Sequence, residues 1–593
     1  MTDSSVKYAR VAMWAVVLAA TIHVFIADRS RPQGFDEPAH VAAGMEWLQF
    51  HTYKLDPLHP PLARIATAAG LYLAGVRFEM PASDFHNFWD AGNSILYQRG
   101  QYLRNLFLAR IGIVPFAVVL VVVTFLWAKR VFGDFAAFAA VTLLVSLPVV
   151  LSFSALAYTD LPAACMQVSS LFVFTLWLEN RSRRRVVLLV VLIALAVLTK
   201  FTSLLYLPIA GLAIAAVRRL LTRKQPKFEG ENRQAILSLG AVIALFAVIV
   251  WGGYRFSFGH VDEAVGLSRS EPPSFQHFPR PVANFAQKMV AADWAIPAPA
   301  LLEGLSEAWV LNKSAPEAYL FGTTKNGGWW YFFLVEVLFK TPLPFLLFAA
   351  IGLGALYPDL KAGDWRALAP GAAALAILLL TTRVSTNYGL RHVLLIFPLL
   401  AVVGGRGVVF LWKATPKWAP AARATVVCLL LWQCLTTLSP KSDSIAYFNE
   451  LAPHDPSAIL VTGCDFDCGQ DLLHLSRELN RRNVETVAVA LWTSADLSKV
   501  GLPPFHVLEP DHTETGWIGV SVRAMRDGSV QHKGYPAGAL SWLRNYKPVA
   551  DVGKTIELYY IPGEVSEPAR VSSIRNHKAE STLLGTFISP NAN

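Results

Sequence analysis

The run LFLARIGIVPFAVVLVVVTFLW, residues 106–127, is closed by Ala128-Lys129-Arg130. A hydrocarbon core about 30 Å thick is crossed by roughly 20 apolar residues in helical form, so this stretch reads as a membrane span. Working outward from it on the same length criterion, about eleven such runs emerge, near 8–26, 106–127, 132–152, 160–178, 186–199, 202–217, 235–253, 330–356, 367–382, 388–411 and 422–438. Composition agrees with that reading. Of the 593 residues 54% are hydrophobic and 16% charged, where an ordinary soluble domain carries about 25% charge, which excludes a soluble globular protein. The first run lacks a small-residue cleavage site and is followed by Asp28-Arg29-Ser30-Arg31-Pro32, so it is expected to stay as a span.

The net charge of +10 is not the signature of a nucleic-acid binder, because of where it lies. After residue 440 there are 14 Lys and Arg against 18 Asp and Glu, so the positive excess belongs to the apolar part. Two domains are therefore expected, a membrane-embedded one over 1–439 and a soluble α/β one over 440–593. Basic loops set the orientation. Lys7 and Arg10, Lys129-Arg130, Arg181 with Arg183-Arg184-Arg185, the run 218–227, Lys361 with Arg366, and Lys413 with Lys417 fall on one side if the N-terminus is cytoplasmic. The loops 27–105 and 254–329, the connection 383–391 and the C-terminal domain then lie outside, and the chemistry with them.

Several charges at that outer level go beyond what membrane solvation requires. The first outer loop opens with Gly34-Phe35-Asp36-Glu37-Pro38-Ala39-His40, two adjacent carboxylates that suit a helix N-terminus and equally a fixed general base. Adjacent acids also raise one another's pKa, which would suit a base working near neutral pH. Farther on, Lys54-Leu55-Asp56-Pro57-Leu58-His59-Pro60-Pro61 precedes an amphipathic stretch, 63–76, too short to span and expected to lie in the interface. Lys54 and His59 are placed to face an anionic headgroup. Asp160, in Thr159-Asp160-Leu161-Pro162, sits at the outer start of a span, where an acid either caps the helix or serves function. Arg391 and His392 stand at the head of another span, able to reach lipid phosphates in general or to hold one specific phosphate. Glu336 and Lys340, four residues apart in the 330–356 run, are an ion pair or a further cationic site. Cys464 and Cys468 have the spacing of no zinc motif, and their pairing stays open. No Walker loop, dinucleotide-binding glycine motif, H-E-x-x-H or G-x-S-x-G occurs.

The order of these elements resembles the protein O-mannosyltransferase and aminoarabinose transferase relatives of the glycosyltransferase-C (GT-C) superfamily, specifically bacterial family 39 proteins. Asp36-Glu37, His59-Pro60-Pro61-Leu62 and Thr159-Asp160-Leu161-Pro162 carry the resemblance in the first part. Phe321-Gly322, Gly328-Trp329-Trp330-Tyr331, Lys340-Thr341-Pro342-Leu343-Pro344 and Tyr388-Gly389-Leu390-Arg391-His392 continue it. Asp465-Phe466-Asp467-Cys468-Gly469-Gln470-Asp471-Leu472 is similar to an Asp-Leu-Asp-Trp-Gly-Gln-Asp-Leu pattern, with Cys468 where tryptophan is usual.

The resemblance implies a polytopic α-helical GT-C fold and a transferase on the outer face of a bacterial cytoplasmic membrane. Such an enzyme passes a sugar from a polyprenyl-phosphate-linked donor to an acceptor hydroxyl on a lipid, glycan or protein, with inversion and with no required cofactor; a divalent metal is compatible but not indicated. On that pattern Asp36 is the general base, Glu37 orients it or binds acceptor, and Asp160 holds acceptor or sugar hydroxyls. Lys54, His59, Lys340, Arg391 and His392 are left for the donor phosphate or substrate. The C-terminal region is expected to have strands near 458–461, 486–491, 517–522 and 556–561, a helix over 471–480, and an Asp465-Phe466-Asp467 loop that binds ligand or caps that helix. The outer loop 256–325 is a candidate lid. Two other classes share the general pattern, a lipid or solute transporter and a non-catalytic envelope assembly or receptor protein. A transporter predicts internal repeats with acids at the membrane midplane, and neither is seen.

Overall fold

The computed structural model describes residues 3–81, 85, 87–222, 239–260, 280–292, 294–438, 443–510, 512–531, 533–536 and 538–563. A helix occupies each apolar run read from the sequence, beginning with Asp3–Ser30 over 8–26. Among the described residues five helices are long and apolar enough to cross a membrane, Tyr102–Phe132, Asp160–Glu179, Ser203–Thr222, Leu343–Lys361 and Ala419–Leu438. Shorter apolar helices follow at Leu239–Gly253, Trp365–Thr381 and Ile396–Trp412. Residues 223–227 of the basic run 218–227 and residues 235–238 of the 235–253 run lie outside the described part.

Two expected continuous spans are broken, both by proline. The 132–152 run folds as Asp134–Val145 and Pro148–Ser154, bent by 69°, with Leu147 extended at ψ 128° ahead of Pro148. The 330–356 run divides into Phe332–Lys340 and Leu343–Ala355 at Thr341, which is extended before Pro342. Glu336 and Lys340 thus belong to a short helix, not to the middle of a long span. Likewise the 388–411 run opens with a 3₁₀ turn, Leu390–Val393, before Ile396–Trp412 begins.

The first loop forms its own packed helical layer, Glu37–Gln49, Pro61–Leu73, Phe88–Leu96 and Tyr102–Arg110. Pro61–Leu73 realises the amphipathic stretch expected at 63–76. Glycine makes the close packing possible, since a Cβ on Gly44 would meet the Arg64 carbonyl oxygen at 2.0 Å and one on Gly92 would meet that of Pro38 at 2.0 Å. Gly44→Ala is expected to destabilise the protein by about 1–3 kcal/mol through forced separation of the two helices, read as a lowered thermal midpoint in detergent. An unchanged midpoint would refute this contact.

The C-terminal region holds a five-stranded mixed sheet in the order Ala550–Val552, Ile556–Ile561, Gly516–Ser521, Val487–Ala490, Phe505–Val507. Gly516–Ser521 and Phe505–Val507 run parallel to Val487–Ala490, while the first two strands join antiparallel. Helix Leu472–Arg481 lays Leu472, Leu475 and Leu479 on the sheet. The strand expected at 458–461 is absent: Asp455 and Pro456 start a 3₁₀ turn, Pro456–Ala458. The following residues receive the hairpin Glu317–Leu320/Thr323–Asn326 instead. Phe321 N–H donates to Ile459 O at 2.9 Å, and Tyr319 N–H to Thr462 Oγ1 at 2.7 Å. Of the candidate lid 256–325, residues 261–279 and 293 lie outside the described part.

Candidate active site

Asp36 ends the approach to helix Glu37–Gln49. Its backbone N–H donates to Tyr158 Oη (3.0 Å), and its carboxylate Oδ2 receives Arg391 Nη1 at 2.5 Å. The Arg391 guanidinium lies over the Tyr158 ring, 5.3 Å from its centre, and its buried Nε has no hydrogen-bond partner among the described residues. Three segments distant in sequence therefore converge on one carboxylate. Burial opposes ionisation of Asp36, but Arg391, His40 and His59 outweigh it and hold the carboxyl below its ordinary value. The elevation of Asp36 expected from an adjacent acid is not met, because Glu37 faces elsewhere.

Glu37 is fully buried and saturated. Arg110 Nε and Nη2 donate to its two oxygens at 2.8 and 2.7 Å, and the N–H groups of Ala157 and Gly34 add bonds of 2.7 Å each. Four charge-assisted bonds make it a clamp between the first loop, helix Tyr102–Arg110 and the segment leading to Asp160.

Asp160, the first residue of helix Asp160–Glu179, is buried and pairs with Lys200 Nζ. Arg391 and His392 are within electrostatic reach of the same carboxylate. From sequence alone, Lys200 marks only a bend between two short apolar runs. The signal available there was a lone basic residue in the short connection between two apolar runs.

His59 bonds Asp56 through Nδ1 at 3.0 and 3.2 Å to the two carboxylate oxygens, and its ring meets that of buried His40 edge-on at 4.9 Å. Asp56 also stays well below the usual carboxylate range: burial would raise it, but His59, Arg64 and His40 prevail. Lys54 is exposed, with its backbone N–H donating to Glu46 Oε1 at 2.7 Å.

Lys340 lies beneath the Arg391 turn. Its Nζ donates to Ile445 O (2.8 Å) and to Asp465 O. Asp465 Oδ2 accepts the Leu390 N–H at 2.8 Å, so Lys340 and Asp465 form a bracket under Arg391. Gly389 is required there, with φ 106° and its missing Cβ 2.5 Å from Asp465 Oδ2. The expected loop thus supports Arg391 through Asp465, while Asp471 does not cap its helix and instead accepts the Lys554 and Thr555 N–H groups. Burial pushes the neighbouring Asp467 carboxyl up to about 7, against the Gly469 N–H and Ser521. Cys464 and Cys468 are disulfide-bonded, and their sulfurs touch Tyr158 Oη at 3.1 and 3.2 Å.

Residues 103–254 match the family model described as dolichyl-phosphate-mannose-protein mannosyltransferase. That match covers the span quoted first and the Asp160 helix, and accords with the resemblance read from the motifs. No curated protein matches the chain in sequence. Among solved structures, apo ArnT from Cupriavidus metallidurans is 11% identical over 93% of this chain and 98% of that one, with a TM-score of 0.46. The archaeal oligosaccharyltransferase AglB from Archaeoglobus fulgidus, in complex with an inhibitory peptide and a dolichol-phosphate, is 14% identical over 86% and 70%, with a TM-score of 0.42. The arabinofuranosyltransferase AftD from Mycobacteria is 12% identical over 93% of this chain and 40% of that chain, with a TM-score of 0.32.

Proposed function

We propose that this protein is a membrane glycosyltransferase that moves a sugar from a polyprenyl-phosphate-linked donor to an acceptor hydroxyl at the outer face of a bacterial cytoplasmic membrane, with inversion. The observation that carries the proposal is the ion pair between Asp36 and Arg391, with Asp160 and Lys200 beside it. It brings an ionised carboxylate and cations together, and a base beside cations for the phosphate is what a direct displacement from a lipid phosphate requires.

In the reaction Asp36 accepts the proton of the acceptor hydroxyl as its oxygen attacks the anomeric carbon. The bond from that carbon to the phosphate oxygen breaks, and its electron pair leaves with the polyprenyl phosphate. Arg391 releases Asp36 to take the phosphate, using the Nε that has no partner at rest. Lys200 supplies further positive charge, and Asp160 orients hydroxyls. Lys340 acts at one remove by holding Asp465 under the Arg391 turn, and Glu37 by fixing the Asp36 segment.

The test is release of polyprenyl phosphate by purified protein in liposomes, from a panel of labelled polyprenyl-phosphate monosaccharides with envelope extract as acceptor source. Release from one donor identifies it; no release from any donor overturns the reading. A pH profile checks the base. Asp36 is held low by Arg391, so it stays ionised from neutral pH down past the ordinary carboxylate value, and kcat/KM should show no Asp36 titration between pH 5 and 7, an interval set by the ordinary carboxylate pKa of about 4. Removing the cation takes away the largest influence opposing burial and raises the carboxyl, so Arg391→Gln should move the acid limb of kcat/KM to higher pH. An acid limb that stays in place in this variant would count against the pairing.

A further inference from the structure

His40, Asp56 and His59 stand apart from the transfer machinery in one respect: their ligand atoms converge, although hydrogen bonding links only His59 and Asp56. One ligand atom from each lies within 4.8 Å of the others. His59 Nδ1 is 3.0 Å and His40 Nδ1 3.9 Å from Asp56 Oδ2. The His59–Asp56 bond accounts for half of this arrangement. It leaves His40, only 2% exposed, with a buried Nδ1 that has no hydrogen-bond partner among the described residues. Arg64 does not satisfy the cluster either: its Nε and Nη1 donate to the Pro60 and Asp56 carbonyl oxygens, and Nη1 stays 3.9 Å from Asp56 Oδ2.

We propose that His40, Asp56 and His59 bind a divalent ion of the zinc class. Two imidazoles and one carboxylate are a donor set that suits Zn²⁺, whereas Mg²⁺ and Ca²⁺ take oxygen ligands. Tetrahedral bonds of about 2.0–2.2 Å place neighbouring ligand atoms roughly 3.4 Å apart, so side-chain shifts of about 1 Å close the site. Three protein ligands leave one position open, the pattern of sites that take an exogenous oxygen. Access runs past His59, whose side chain is 25% exposed. The segments are anchored for this: Pro60 and Pro61 stiffen the turn after His59, and Arg64 ties that turn to Asp56 from the following helix. His40 is edge-on to Tyr158 at 5.7 Å, and Tyr158 holds the Asp36 backbone. The ion therefore sits one side chain from the base. Resting on the function proposed above, its open position takes a phosphate oxygen of the donor, alongside Arg391.

Metal binding is measurable without any transfer assay, so its failure and that of the proposed function are distinguishable. The full-length protein in detergent, stripped with chelator, is titrated with Zn²⁺ and, separately, Mg²⁺, with bound metal read by elemental analysis and the thermal midpoint followed in parallel. One Zn²⁺ per chain, a raised midpoint and no comparable response to Mg²⁺ are expected. His59→Ala, the partly exposed ligand, and His40→Ala should each weaken Zn²⁺ by more than the roughly 10–100-fold that loss of an outer-shell partner costs. His506→Ala, on the distant C-terminal sheet, should bind as wild type. Absence of stoichiometric Zn²⁺ in the wild type, or full retention of it in a folded His59→Ala protein, overturns the site. Cobalt substitution reads the open position: inorganic phosphate should perturb the visible spectrum of the wild-type complex, and an unperturbed spectrum removes the phosphate role.

Discussion

Asp36→Asn is expected to lower the rate of sugar transfer by about 10²–10⁴-fold, the usual worth of a positioned general base, without loss of the fold. The substitution keeps size and shape but removes the proton acceptor. The segment stays in place because its link to Tyr158 runs through the backbone N–H and not the carboxylate. What the side chain does lose is Arg391, which is then free for the donor phosphate before substrate arrives. The defect should therefore fall on kcat, with KM for the donor unchanged or lower. Arg391→Ala should do the opposite to affinity and raise KM, since it removes a donor to the phosphate. Single-turnover release of polyprenyl phosphate, with donor affinity measured separately, distinguishes the two. A rate within about tenfold of wild type in folded Asp36→Asn protein would dismiss it as the base.

The positions of the apolar helices were legible because about 20 apolar residues in a row have few other uses. Their lengths were less so. Leu147-Pro148 and Thr341-Pro342 both break runs that hydropathy joins, since a window average registers the apolar side chains but not the extended backbone ahead of proline. In the site, Asp36, His59, Asp160, Arg391 and His392 could be named because charge at a membrane surface stands out against its surroundings. Lys200 and Arg110 could not be linked to Asp160 and Glu37 in the same way. Each partner is 40 or more residues away along the chain, and only packing brings the two together. Asp465 shows the same limit in a different form. Its motif was visible, yet nothing local reveals that its carboxylate would accept the N–H of Leu390 and so set the direction of Arg391.

The second large effect is one of stability, and it separates the two neighbouring acids. Glu37→Gln is expected to cost about 3–5 kcal/mol, the range for breaking a buried pair and leaving its partner charged. Arg110 is 1% exposed, Glu37 is wholly buried, and no water-facing arrangement of the guanidinium is available without opening the first-loop helical layer. The neutral amide also offers one acceptor oxygen where the carboxylate offers two, so it cannot serve Arg110, Gly34 and Ala157 together. A fall in the thermal midpoint should accompany the change, with the protein that remains folded still turning over. The double variant Glu37→Gln with Arg110→Met should recover part of the loss, because removing both charges also removes the uncompensated one. A role for Glu37 in binding acceptor predicts the reverse pattern: near wild-type stability, a raised acceptor KM, and no rescue by the second substitution. The saturated geometry of Glu37 favours the structural outcome, whereas Asp36, with one ion pair and a partly open face, is left available for chemistry.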